Sequence, residues 1–199
     1  MESVEEIKQE LVIAQQQHEL VAIYNFNDDG TFSVGYVIDM DGVFVLTLGI
    51  DMEGKINGIT AIRLASIHRV DKNTDYLTTV SIRQDVAKQY NFYDIWHVQN
   101  YLKKSEFRKN GILATILQEC YETKEALVIG TKKYKDRDDF EGYIHELTPI
   151  KLTMHYLKFE DLSSLWEYEI LWAEVDYLRI KGTQAHMSQA ILDRIFRSE

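Results

Sequence analysis

Short runs of alternating apolar and polar residues recur along this chain, and several of them occur twice in the same order. Val34-Gly35-Tyr36-Val37-Ile38 is matched by Glu141-Gly142-Tyr143-Ile144-His145, and Glu19-Leu20-Val21-Ala22-Ile23 by Glu125-Ala126-Leu127-Val128-Ile129. Val45-Leu46-Thr47-Leu48 pairs with Lys151-Leu152-Thr153-Met154, and the run from Ile62 to Val70 pairs with the run from Ile170 to Leu178. Alternation with period two marks strands that bury one face. Two copies of one unit, residues 19–82 and 125–190, constrain the architecture more tightly than any single strand.

A helix precedes each copy. Ser3 and Glu6 have the S-x-x-E spacing of a capping box, which opens a helix whose buried stripe is Val4, Ile7, Leu11 and Ala14. In the second copy Ile112, Leu113, Ile116 and Leu117 take that role. Turn signals separate the strands: Asn27-Asp28-Asp29-Gly30, Asp41-Gly42, Glu53-Gly54 and Asn57-Gly58. Pro149 falls where Gly42 falls in the first copy. Both positions predict the tip of the same hairpin, because proline has no N–H for a central ladder.

Residues 82–102 belong to neither copy. Ile82, Val86, Tyr90 and Tyr93 recur at helical spacing, and Ile95, Trp96, Val98, Tyr101 and Leu102 continue the apolar pattern. Packing against the two units is one role for these aromatics, and an exposed partner surface is the other. At the end of the chain Met187, Ala190, Ile191 and Ile195 predict a helical face that packs back on the second copy.

Composition narrows the classes. The 199 residues carry a net charge of -10, a field that repels a phosphate backbone unless basic side chains gather locally. Such a local excess runs through Lys103, Lys104, Arg108, Lys109, Lys124, Lys132, Lys133, Lys135 and Arg137. No apolar run approaches the length of a membrane span. Met1-Glu2-Ser3 leads into a polar helix with no apolar signal segment, and Cys120 is the one cysteine. The expectation is a cytoplasmic protein without an internal disulfide.

The leading helix, five short strands and the turn pattern of each copy resemble the Sm/LSm-like fold, a small, strongly bent β-barrel. Gly35 and Asp41 match the glycine and aspartate of its first motif, with Phe44 and Val45 where Met and Asn would stand. Ile62-Arg63-Leu64 and Ile67 follow the second motif, with leucine in place of its glycine. In the second copy Gly142 is kept, Thr148 replaces the aspartate, Lys151 or Leu152 the asparagine, and Leu171 the arginine. The resemblance implies an α+β fold, mainly β with flanking helices: two tandem Sm-like barrels, with unit 1 over 1–82, a helical aromatic connector over 83–104, and unit 2 over 105–199. One continuous sheet spanning both halves would count against it. By the same resemblance Asp41 and Arg63 are the candidate RNA-binding residues, and strand edges the candidate assembly surfaces.

Candidate chemistry is sparse. None of His18, His68, His97, His145, His155 and His186 has a recognised ligand spacing. His145 and His155 flank Pro149, and a two-residue loop there would set His155 opposite Gly142, apart from His145. Cys120 has acidic neighbours that do not favour a thiolate. The carboxylate-rich turns at Asp41, Asp51 and Glu53 read as local backbone caps. No metal, cofactor or catalytic set is assigned. The expectation is a non-catalytic binding or assembly module with a protein partner or self-association. A divergent RNA-binding regulator is the alternative, and an enzyme with a site between the units the third. The candidate partner surface is Tyr93, Trp96, Tyr101, Lys132, Lys133 and Lys135.

Overall fold

The computed structural model describes residues 3–26, 30–107, 110–133 and 139–196. The first helix, α1 (Val4–Gln17), starts at the capping box: the Glu6 N–H donates to the Ser3 hydroxyl and the Ser3 N–H to the Glu6 carboxylate at 2.8 Å. It buries Ile7, Leu11 and Ala14, while Val4 lies on its exposed first turn. Four strands follow: β1 (Leu20–Tyr24), β2 (Ser33–Met40), β3 (Phe44–Ile50) and β4 (Ile56–Arg63). A 3-10 turn (Leu64–Ser66) then leads to β5 (Arg69–Asp71). The connector holds α2 (Asp75–Gln89) and α3 (Val98–Leu102). Next come α4 (Ile112–Thr123), β6 (Leu127–Thr131), β7 (Phe140–Leu147), β8 (Lys151–Lys158) and β9 (Asp161–Leu171). A second 3-10 turn (Trp172–Glu174), β10 (Val175–Ile180) and α5 (Thr183–Ile195) close the chain.

Among the described residues the fold is α+β. Its five α-helices accompany ten antiparallel strands in one open sheet, ordered β5-β1-β2-β3-β4-β10-β6-β7-β8-β9. The halves repeat one another strand for strand. Val21 faces Gly35 and Leu127 faces Gly142. Ile23 faces Val70 and Ile129 faces Leu178. The register shifts between Val37 and Asp39 in one half and between Ile144 and Glu146 in the other. Both leading helices end on a left-handed residue, His18 and Lys124.

The expected pair of tandem barrels is replaced by this single sheet. The joint is β4 against β10, where Ile59, Thr60, Ala61 and Ile62 face Ile180, Arg179, Leu178 and Tyr177. A strand edge is a row of unpaired N–H and C=O groups. Here the last strand of the second half satisfies the edge of the first, so the ladder runs through instead of stopping. One large apolar cluster crosses the joint, uniting Leu46 and Ala61 with Ile116, Leu117, Ile129 and Leu178.

Local readings need four further corrections. The third-strand match slips by one, since Met40 faces Val45 and Leu147 faces Leu152, so Val45 corresponds to Leu152 and not to Lys151. Asn57-Gly58 is not a turn but part of β4. Gly58 has φ +85°, and a Cβ there would strike the backbone of Ile180 and Gly182, so the glycine lets the second half approach. Helix α2 crosses the expected boundary at 82/83 and shows the reverse of the expected face. Ile82 is 61 % and Tyr90 67 % exposed, and the buried residues are Leu77, Val80, Gln84 and Ala87. Gln84 obscures that stripe in the sequence because a polar residue holds a core position, where it accepts from the Tyr36 and Tyr93 hydroxyls. Helix α5 packs on the second half, but through Ala185, Ser188 and Leu192, leaving Met187 and Ile195 exposed. Of the four turn signals, Asn27, Asp28 and Asp29 lie outside the described residues. Asp41-Gly42, Glu53-Gly54 and the Pro149 tip are turns.

Candidate functional site

The two residues singled out for RNA both serve the joint between the halves. Asp41 sits at the β2–β3 tip, where one carboxylate oxygen accepts from the Val43 and Phe44 N–H groups at 2.7 Å each. The other accepts from the Ile112 N–H at 2.8 Å. That N–H belongs to the first residue of α4, whose terminal amides have no partner within the helix. Gly111 precedes it at φ +86° with no side-chain cap, so Asp41 supplies the cap from the other half. Arg63, at the end of β4, donates through Nε to the Val175 carbonyl at 2.7 Å and through its terminal nitrogen to the Trp172 carbonyl at 2.8 Å. Its guanidinium lies 4.7 Å from the centroid of the Phe44 ring. Burial lowers its pKa, and the nearby Asp176 charge opposes that shift. Asp41 and Arg63 thus flank Phe44 and lock the second half from two sides.

The connector aromatics separate onto different elements. Tyr93 is half-buried against α2, with its hydroxyl pKa raised to about 12 by burial. Trp96 stacks on His186 of α5, centroids 4.2 Å apart, and its indole N–H donates to Thr183 at 3.4 Å. Tyr101 donates to Glu119 of α4 at 2.7 Å, and burial pushes its pKa up. Packing is the role these contacts describe. Lys132 and Lys133 are exposed just past the end of β6, and Lys133 Nζ lies 6.0 Å from the Tyr168 ring centroid. Lys135 lies outside the described residues, as do Arg108, Lys109 and Arg137.

One histidine expectation is overturned. His155 faces Tyr143, not Gly142, and its ring stacks on that of His145 at 4.0 Å and 9°. The register shift around His145 brings them together, because a bulge places two residues against one and tips the extra side chain over its neighbour. The Tyr143 hydroxyl is 3.1 Å from His155 Nδ1. Burial, then the His145 charge, hold His155 below the ordinary imidazole range. No three His, Cys, Asp or Glu side chains among the described residues form a group that could hold a metal. Cys120 is buried in α4 and its thiol is pushed up to about 12, chiefly by burial, which leaves it protonated.

The sequence reading missed the open end of the sheet. Strand β9 spans 11 residues and, among the described residues, pairs only with β8. Its counterpart in the first half, β4, is buried over most of its length and paired on both sides. Leu171 stands where Arg63 stands and is 42 % exposed, as is much of Trp166. The opposite edge is β5, three residues long, with Arg69 and Asp71 bridged at 3.3 Å. The signal available in the sequence was the loss of strict apolar alternation over Ser163 to Glu169.

No helix among the described residues is long and apolar enough to cross a membrane. No family model, curated protein or solved structure matches this chain.

Proposed function

We propose that this chain is a non-catalytic assembly module made of two like helix-and-strand units fused edge to edge in one sheet, and that copies associate by setting β5 of one against β9 of the next. The observation that carries this reading is the β4–β10 joint. β9 corresponds to β4 and β5 to β10, so the two outer edges repeat the pair already joined inside the chain. An association between copies would extend an arrangement the molecule uses once. Head-to-tail contacts of this kind close into rings or continue as filaments, depending on the rotation per copy. The engagement of Arg63 and Asp41 at the inner joint supports the assembly reading over the divergent RNA-binding regulator.

Mass measurement by light scattering or native mass spectrometry tests the proposal. The expected result is a species larger than the 23.3 kDa monomer, favoured by added salt because each copy carries -10. Leu171→Asp, which places a charge where β5 of the neighbour would approach, is expected to return it to monomer. A monomer at high protein concentration in both low and high salt would overturn the reading.

A further inference from the structure

The inner joint is closed by apolar contacts on one side of the sheet. Beyond the stripe it shares with α1, helix α4 buries Ile112 and Ile116. Both lie in one cluster with Phe44, Leu46 and Leu48 of β3 and with Ile59 and Ala61 of β4. Ile38, at the register shift of β2, packs against the same cluster.

The matching face of the second half is polar. The register sets Lys151, Thr153 and His155 at the places of Phe44, Leu46 and Leu48, and His145 at that of Ile38. Glu169 and Glu167 stand where Ala61 and Ile59 stand, and none of these six residues is buried. The helix that would meet this face has changed in the same way. Counted back from Leu11 and Leu117, Glu6 and Glu10 of α1 take the positions of Ile112 and Ile116.

Charge decides whether the two faces fit. Lys151 bridges Glu169, and His155 Nε2 lies 3.8 Å from Glu167. The stacked His145 ring and the Tyr143 hydroxyl meet His155 from β7. Glu146 acts on Lys151, and Lys124 at the end of α4 acts on His155. With neutral imidazoles three carboxylates outweigh two ammonium groups, and Glu10 of a neighbour meets its own sign. Protonation of both imidazoles reverses that balance. A carboxylate brought against an imidazole raises its proton affinity, so association takes up protons and acid favours it.

We propose that the joint between copies is proton-gated: the face around His145 and His155 receives the flank of α1 that carries Glu6 and Glu10 in the next copy, and protonation of the two imidazoles closes it. The inference rests on the edge-to-edge reading and adds its regulation. Sedimentation of the full chain over a concentration series, at constant ionic strength, tests it. The midpoint concentration for association is expected to fall about tenfold between about pH 7.5 and 6.0. His145→Gln combined with His155→Gln should remove most of that fall. Glu10→Gln should tighten association about threefold at the higher pH and flatten the dependence; it lies on the helix surface and keeps the test readable if the double variant misfolds. His97→Asn, at an exposed left-handed position of the connector that asparagine also adopts, controls for the general loss of negative charge and should keep the full fall. Association equal at both pH values, or an unchanged fall in Glu10→Gln and the double histidine variant, would overturn the gate and leave edge pairing standing. A monomer at both pH values would overturn edge pairing and the gate together.

Discussion

Helices α1 and α4 occupy equivalent places in the two halves, yet α4 is covered on more sides than α1. Both lead into their first strand through a left-handed residue, and Leu11 corresponds to Leu117 and Ala14 to Cys120. Helix α1 covers β2, β5 and the first 3-10 turn, and leaves its outer face to solvent. Helix α4 packs on β7 of its own half and on β3 of the other, so Ile116 is fully buried where α1 has Glu10. Strands β4 and β9 show the same contrast, one paired on both sides and the other on one. The difference teaches that position in the joint, more than position in the repeat, sets how much each residue contributes.

Paired substitutions can break that statement. Leu117→Ala is expected to cost about 4 kcal/mol and Leu11→Ala about 2–3 kcal/mol, since the site that is closed on more sides collapses less around a cavity. Urea unfolding of both variants checks this, and equal losses would erase the contrast. Arg63→Ala is expected to cost about 1–2 kcal/mol by leaving two carbonyls at the joint without their donor, discounted for the partial exposure of the guanidinium. Leu171→Ala, its counterpart at the open edge, should change unfolding stability by less than about 0.5 kcal/mol. Asp41→Ala removes the cap that the first half lends to α4 and is expected to cost about 1 kcal/mol, while Thr148→Ala at the equivalent tip should do little. Loss of protection of the Ile112 amide in hydrogen exchange would report the missing cap directly.

The smallest expected effect is in pH dependence, and it is read at two imidazoles of the second half. His155 and His186 both have lowered pKa values, with burial the first cause and a neighbouring positive charge the second. A histidine depressed in the folded state takes up its proton more readily when unfolded. Its contribution to stability is therefore present above the ordinary imidazole pKa near 6.5 and is lost as pH falls below it. Urea midpoints should decline between about pH 7.5 and 5.5. His155→Gln and His186→Gln should each flatten that decline. An identical slope in all three proteins would remove these imidazoles from the account.

Legibility in the sequence followed how local each cause was. The capping box at Ser3 and Glu6 needs only neighbours within one turn, and it is where the spacing put it. The Pro149 and Gly42 tips were legible because turn residues act through their own backbone. The candidate sites were read less well. Arg63 and Asp41 were visible as distinctive residues, but their partners lie in the other half, 112 and 71 residues away. A two-residue loop would hold His145 and His155 apart, and a bulge that joins them cannot be counted from a strand pattern.

Alternation, caps and repetition by themselves determined that there would be two like units, each a helix followed by strands in fixed order. They could do so because each is a matter of short-range geometry repeated twice. Tertiary structure alone decided that the units share one sheet, that α2 and α5 turn unexpected faces outward, and that β9 keeps an open edge. Those outcomes depend on which edge and which face find a partner, and a hydrophobic period specifies that a face is buried without specifying against what.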